Sequence, residues 1–169
     1  MLAAQYYKFN KPRRLMTSGG LGMMGYGLPA ALGVQLAKPD ALVIDIAGDG
    51  SIQMNFHTLA TAVENRLPIK VAIMNNGYLG LVRQWQELFY ERRYSQTKFQ
   101  VEPDYVKLAE AFGALGLRAE RPGEVEPVIR EALATPRTVV MDFRVDPEEC
   151  VFPMVPPGKA IDEMILPGH

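Results

Sequence analysis

Two apolar runs, each followed at once by a polar turn that contains glycine, constrain the fold of this chain most strongly. The run ALVIDIA, residues 41–47, leads into the turn GDG at 48–50, and the run at 69–74 leads into NNG at 75–77. The first run, apolar except for one acid, is typical of a strand covered on both faces. The segment between the runs is apolar at residues 56, 59, 60 and 63, which is helical spacing. A strand, a helix and a strand in this order predict a parallel sheet.

The rest of the chain continues this alternation. We predict strands at 42–46, 69–74, 115–119 and 138–145, and helices at 26–37, 56–65, 81–89, 103–112 and 124–134. Asn55 is the predicted N-cap of the second helix. The pattern favours an α/β fold with a doubly wound parallel sheet and helices on both faces. We assign residues 1–145 to this domain and the proline-rich residues 146–169 to an extended C-terminal tail.

The charge and length of the chain narrow the range of functions. It has 169 residues, with 18 basic and 19 acidic side chains and a formal net charge of -1. Because the sequence has no basic stripe, we expect no nucleic acid or anionic membrane as the main partner. No apolar run reaches the length of a membrane span. The lone Cys150 excludes an internal disulfide and favours a reducing compartment, the cytoplasm.

The two turns place oxygen-bearing side chains where an α/β sheet binds its ligands. The carboxyl ends of neighbouring parallel strands meet at one edge, so Asp49 and Asn76 are expected to lie close together. Gly48, Gly50 and Gly77 allow the backbone to approach a ligand closely. A carboxylate and an amide oxygen beside such turns suit Mg²⁺ held against a diphosphate. The alternative is two ordinary tight turns, with Asp49 capping a helix.

Longer motifs add a family resemblance. GDG followed by NN, with residues 51–74 between them, resembles the cofactor signature of thiamine-diphosphate enzymes. TSGGLGMMGYGLPAALG at 17–33, RQWQELFYERRYS at 83–95 and VFPMVPPGKAIDEMI at 151–165 resemble acetolactate synthase (acetohydroxyacid synthase) catalytic subunits. The similarity is to their C-terminal, diphosphate-binding domain and runs from about residue 15 to residue 166.

The resemblance implies a role for each of several residues. Mg²⁺ would be bound by the side chains of Asp49 and Asn76 and by the Tyr78 carbonyl. The Gly22 carbonyl would accept a hydrogen bond from the cofactor's amino group, and Met24 would hold the cofactor bent. The implied cofactor-binding set is Gly22, Met24, Gly48, Asp49, Gly50, Ser51, Asn76, Tyr78, Gly80 and Leu81. Arg83 and Trp85 would line the substrate channel, although a solvated helix face and a core position are their plainer interpretations.

The implied reaction condenses pyruvate with a second 2-keto acid, pyruvate or 2-ketobutyrate, with loss of CO₂ in branched-chain amino-acid biosynthesis. The family activates its cofactor with a glutamate of another domain, so we expect no catalytic residue in this chain and no turnover by the chain alone. The pyrimidine-binding and central domains are expected to be absent from it, and with them most of an FAD site. A homodimer or higher oligomer and a small regulatory subunit are the implied partners.

Two alternatives stay open at this point. The first is another thiamine-diphosphate-dependent decarboxylase, carboligase or oxidase. The second is a non-catalytic oligomerisation or regulatory module that retains the α/β fold.

Overall fold

Four parallel strands form a single sheet in the computed structural model, which describes residues 1–168. The strands are β1 (Ile44–Gly48), β2 (Lys70–Asn75), β3 (Leu115–Ala119) and β4 (Val139–Arg144). The α-helices are α1 (Leu2–Tyr6), α2 (Gly27–Ala37), α3 (Asp49–Gln53), α4 (Leu59–Glu64), α5 (Gly80–Phe89), α6 (Tyr105–Ala111) and α7 (Pro122–Ala134). Two 3₁₀ turns lie at Phe56–Thr58 and Ile161–Glu163.

The sheet has the strand order β1-β2-β4-β3. Gly48 at the end of β1 pairs with Met74 of β2, so the GDG turn and the asparagine pair emerge side by side. This register is what brings the two predicted halves of the site together.

Apolar side chains pack on both faces of the sheet. On one face, residues from α2, α4 and α6, such as Leu28, Leu59 and Ala109, pack with strand residues including Ile73. On the other face, Ala132 of α7 packs with residues of β3 and β4. The predicted α/β class, a doubly wound parallel sheet with helices on both faces, is confirmed.

Strand β1 differs from the prediction of a strand covered on both faces. It lies at the edge of the sheet and is hydrogen-bonded to β2. Its side chains alternate, with Ile44 and Ile46 exposed by 47% and 54%, and Asp45 and Ala47 buried. Whether a second element covers the outward face of β1 depends on residues distant in sequence. Within residues 1–168, no helix or strand covers that face.

Two local details also differ from the sequence prediction. Asn55 makes no capping hydrogen bond at the 3₁₀ turn that follows it, because its side-chain amide donates instead to the Gly25 carbonyl. Helix α7 begins at Pro122, two residues earlier than predicted. Proline suits the first turn of a helix, where its missing N–H is not needed.

A buried acid lies inside the sheet. The Asp142 carboxylate of β4, with no exposed surface, accepts a hydrogen bond from Asn75 at 2.9 Å and pairs with Arg118 of β3 at 2.9 Å. Arg118 also pairs with Asp104, which caps the N-terminus of α6. These charges tie β3, β4 and α6 together beneath the carboxyl edge of the sheet.

The C-terminal tail, predicted at 146–169, is described as far as residue 168. It is joined to α5 by Gln84, whose amide donates to the Val151 carbonyl and whose carbonyl oxygen accepts from the Val151 N–H, at 2.9 and 2.8 Å. Further along, Met154 and Ile165 form an isolated antiparallel bridge. In the part of the chain that the structure describes, no helix is long and apolar enough to cross a membrane.

Candidate functional site

The Asp49 carboxylate joins the ends of the two central motifs. Asp49 is the first residue of α3, directly after β1, and is 2% exposed. Its Oδ2 accepts a hydrogen bond from the Gly77 N–H at 2.7 Å, and its Oδ1 accepts one from the Gly50 N–H at 2.9 Å. The GDG turn and the asparagine turn are thus in direct contact, as the spacing predicted.

Burial dominates the electrostatics of Asp49. It raises the pKa of the carboxyl above 3.8, while the N–H groups of Gly50 and Gly77 act in the opposite direction. The Glu102 carboxylate lies over Gly77, where a Cβ would be 2.6 Å from its Oε1, and its charge raises the pKa of Asp49 further. A cation beside Asp49 would relieve both effects.

The asparagine turn presents two more oxygens. The Asn76 side-chain oxygen accepts from the Tyr78 N–H at 3.2 Å. Tyr78 forms an antiparallel bridge with Lys98. The two hydrogen bonds of this bridge use the Gly77 carbonyl and the Leu79 N–H, so the Tyr78 carbonyl takes part in neither. Gly80 lies beside them, and a Cβ there would be 2.9 Å from the Asn76 amide nitrogen, so a larger residue would displace the Asn76 side chain.

The glycine-rich loop before α2 brings Met24 to the same place. The Met24 Cε lies 3.2 Å from the position that a Cβ on Gly50 would take, and Leu79 and Phe99 lie at 2.8 and 3.2 Å from it. Three apolar side chains therefore surround the Gly50 backbone. Gly22, two residues before Met24, has a φ of +66° that favours glycine. Ser51 belongs to this region too, through a hydrogen bond to the loop at Gly25.

The two predicted channel residues lie on different sides of α5. Trp85, 37% exposed, lines a groove of about 540 Å³ with Leu81 and other residues of the helix and of the segment after it. Arg83 is 6% exposed and does not line this groove. Its guanidinium instead pairs with Glu87 at 2.9 Å and with Glu148 of the C-terminal tail at 3.2 Å.

Several contacts of the site were not foreseen from the sequence. Leu79 and Phe99 against Gly50, Glu102 over Gly77, and Gln84 on the tail were not singled out. Gln84 carried no signal in the sequence, because its partner Val151 lies 67 residues away. The other contacts depend on a loop whose path no local pattern specifies.

These residues fit a magnesium–diphosphate group. Asp49 is a buried carboxylate, and no lysine or arginine of residues 1–168 forms an ion pair with it. Each of its oxygens accepts one N–H and retains a further lone pair for a metal. Gly48 is exposed and a Cβ on it would meet nothing within 4 Å, so a ligand can approach the backbone there. Mg²⁺ prefers such oxygen donors and is commonly shared with phosphates.

Comparison with known proteins identifies the family. Residues 1–143 match the family described as thiamine pyrophosphate enzyme, C-terminal TPP binding domain. The chain belongs to this family. Thiamine pyrophosphate, or thiamine diphosphate, is the cofactor that the family's name specifies, and the contact between the GDG and NN turns lies within the matched residues.

Relatives of this thiamine-pyrophosphate-binding domain include several acetolactate synthases. The large subunit of acetolactate synthase isozyme 3 of Escherichia coli is 50% identical over 98% of this chain. The mitochondrial catalytic subunit of Saccharomyces cerevisiae is 48% identical over 98% of it. The chain spans 29% of the first of these relatives and 24% of the second. It is the C-terminal domain of these subunits that it resembles.

A solved structure supports the family's fold. The thiamine diphosphate-dependent 4-hydroxybenzoylformate decarboxylase of Rhodococcus jostii RHA1 superposes with a TM-score of 0.68 at 31% identity. The match covers 74% of this chain and 23% of the decarboxylase.

Proposed function

We propose that this chain forms the diphosphate- and Mg²⁺-binding half of the cofactor site of an acetolactate synthase catalytic subunit. One observation carries the proposal: the buried Asp49 carboxylate at the end of β1 accepts a hydrogen bond from Gly77 at the end of β2, beside Asn76. The identity of about half with acetolactate synthase subunits supports this choice within the family.

In this proposal Mg²⁺ is bound by the Asp49 carboxylate, the Asn76 side-chain oxygen and the Tyr78 carbonyl. The diphosphate completes its coordination, because Mg²⁺ is usually held by one or two carboxylates together with phosphate oxygens. The backbone at Gly48, Gly50, Ser51, Gly80 and Leu81 surrounds the diphosphate and supplies N–H donors. The absence of a side chain at Gly48, which is exposed, keeps the backbone accessible there.

Met24 and Gly22 contact the parts of the cofactor beyond its diphosphate. Met24 lies against Gly50 and would support the centre of the cofactor in a bent form. The Gly22 carbonyl would accept a hydrogen bond from the amino group of the pyrimidine ring. When bound, thiamine diphosphate supplies the reactive carbon for attack on a keto acid. The chain's own residues bind it, bend it and exclude water.

The proposed reaction of the longer protein condenses pyruvate with pyruvate or 2-ketobutyrate, with loss of CO₂. Trp85 is proposed to line the path of the substrate, since it borders the 540 Å³ groove on α5. Arg83 would join that path only after leaving Glu87 and Glu148. Another thiamine-diphosphate-dependent decarboxylase or carboligase is the second candidate, supported by the 31% identity to the Rhodococcus enzyme. A non-catalytic module is disfavoured by the intact Asp49–Gly77 contact.

The partners and location belong to the same proposal. We propose a homodimer or higher oligomer, a small regulatory subunit, FAD in the longer protein, and a cytoplasmic location in keeping with the lone cysteine. We expect this chain alone to bind cofactor without turnover. Acetolactate formation from pyruvate by the pure chain would contradict that expectation.

Calorimetric titration with thiamine diphosphate, in Mg²⁺ and in chelator, tests the proposal. Wild type should bind thiamine diphosphate in a saturable way that requires Mg²⁺. Asp49→Ala should lose most of this affinity, and its residual binding should be the same in Mg²⁺ and in chelator. Asp40→Ala, at an exposed acid in the turn before β1, is the matched control and should bind as wild type does. Binding by wild type that ignores both Mg²⁺ and Asp49 would refute the proposed metal site.

A further inference from the structure

Ser51 and Asn55 both hold one residue of the glycine-rich loop. The Ser51 Oγ accepts a hydrogen bond from the Gly25 N–H at 2.9 Å. The Asn55 side-chain amide donates to the Gly25 carbonyl, also at 2.9 Å. The two residues are four apart, so they project on the same side of the turn that begins at Asp49. We call these two contacts the Gly25 clamp.

Gly25 is the residue type that this contact requires. It is buried, has a φ of +83°, and a Cβ there would lie 2.7 Å from the Met54 Cβ and 2.9 Å from the Asn55 amide nitrogen. Its backbone therefore rests directly on the segment after α3. A residue held at both its N–H and its carbonyl, at van der Waals contact, has little freedom to shift.

The start of the same loop is fixed by Ser18. Its carbonyl accepts from the Gly22 N–H at 2.7 Å, and its Oγ accepts from the Met23 N–H at 3.0 Å. Only Met24 lies between this turn and the Gly25 clamp. The position of Met24 against Gly50 is thus determined by the segment that also carries Asp49.

The loop has space to move if the Gly25 clamp is released. A cavity of about 40 Å³ lies beside it, lined by residues that include Gly25, Asp45 and Asn55. The inner oxygen of Asp45 has no hydrogen-bond partner within residues 1–168. A freed Gly25 peptide would therefore find both room and a polar group on its inner side.

We propose that Ser51 and Asn55 are positioning residues, which place Met24 and the Gly22 carbonyl at a fixed distance from Asp49. They would control binding of the ring portion of thiamine diphosphate and leave binding of its diphosphate to Asp49 and Asn76. This inference rests on the proposed function, because it assigns the loop and the metal site to two ends of the same ligand.

The experiment compares two probes on Ser51→Ala, Asn55→Ala and Asn55→Asp. The probes are thiamine diphosphate with Mg²⁺ and inorganic pyrophosphate with Mg²⁺, each titrated calorimetrically. Loss of one buried hydrogen bond is expected to weaken thiamine diphosphate about tenfold. In the two Asn55 variants, affinity for Mg²⁺–pyrophosphate should stay within about twofold. Asn55→Asp keeps the size of the side chain and replaces the donor with a carboxylate oxygen that repels the Gly25 carbonyl, so it tests the contact without creating a cavity.

Hydrogen exchange of the free protein gives a readout independent of any ligand. The Gly25 amide should exchange about tenfold faster in Ser51→Ala, which removes its acceptor. Ser51→Thr retains the hydroxyl and should restore both protection and affinity. His57→Ala, at an exposed position on the same segment, is the matched control and should change neither.

The outcomes separate the two proposals. Wild type that binds neither probe would refute the proposed function and this inference with it. If wild type binds both probes, two results would overturn the inference and leave the proposed function intact. One is an Asn55 variant that loses affinity for both probes equally, and the other is unchanged exchange of the Gly25 amide. The expected result is a selective loss of affinity for thiamine diphosphate together with faster exchange of the Gly25 amide.

Discussion

Asp45 gives a quantitative prediction about how stability depends on pH. Its carboxyl is 6% exposed on β1, its Oδ2 has no partner within residues 1–168, and burial raises its pKa from 3.8 to about 6. That difference corresponds to about 3 kcal/mol. The folded state holds the proton more tightly than the unfolded state, so the contribution of Asp45 to folding stability is full below pH 3.8 and is lost as the pH rises through 6.

Asp45→Asn removes this titration. Between about pH 4.5 and about pH 8, the wild type should lose about 2 kcal/mol of stability that the variant retains. The variant's own packing cost is the same at both pH values and cancels from the comparison. Every other titrating group is present in both proteins and cancels as well. The variant should therefore gain on the wild type as the pH rises, whichever of the two is more stable at pH 4.5.

Urea unfolding followed by circular dichroism, at both pH values, measures the required free energies of unfolding. Asp40→Asn, at an exposed aspartate of the preceding turn, is the control and should track the wild type. A gap between wild type and Asp45→Asn that stays constant within about 0.5 kcal/mol would refute the reasoning. It would mean that the carboxyl is solvated in the folded state.

Three further predictions concern packing, charge and the tail. Gly27→Ala would place a Cβ 2.1 Å from the Asp45 carboxylate and should cost about 2 kcal/mol or more of folding stability. In its control, Gly33→Ala of the same helix, the added Cβ meets nothing within 4 Å and should stabilise the fold by about 0.5–1 kcal/mol. Thermal unfolding that ranks the two variants the other way would contradict the packing. Arg118→Met would remove the nearer of the two guanidinium groups paired with the buried Asp142 carboxylate, leaving Arg144 at 3.8 Å, and should cost about 3 kcal/mol in urea unfolding. Its control, Arg130→Met on an exposed ion pair, should cost less than about 1 kcal/mol. Gln84→Ala removes both bonds to the C-terminal tail, so limited trypsin digestion should cut the tail faster than in wild type; an unchanged rate would mean that other contacts hold it.

The central part of the site could be predicted from the sequence because its geometry is local. A polar turn directly after each of two strands must emerge at the carboxyl edge of a parallel sheet. The contact between Asp49 and Gly77 follows once β1 and β2 are neighbours. The residue types then indicate the chemistry, since carboxylate and amide oxygens are donors for a hard cation.

The contacts that complete the site lie beyond that reasoning. Ser51 and Asn55 reach Gly25 across 26 and 30 residues of sequence, and a single sequence gives no sign of such a pairing. Asn55 was expected to cap a helix, which is the commonest use of asparagine before a helical segment. The five residues of α3 are too few to show a helical period. The exposure of β1 depends on a neighbouring element, which no local pattern reveals.

The edge position of β1 affects how the protein behaves in concentrated solution. Within residues 1–168, no strand pairs with the outer side of β1, and Ile44 and Ile46 of this strand are exposed. Such an edge is a template on which another extended chain can continue the hydrogen-bond ladder. No lysine, proline or bulge interrupts the five residues of this strand. Aggregation of the protein would therefore begin at β1. A charged residue at position 44, at the opposite end of the strand from the GDG turn, would suppress it without contacting the cofactor site.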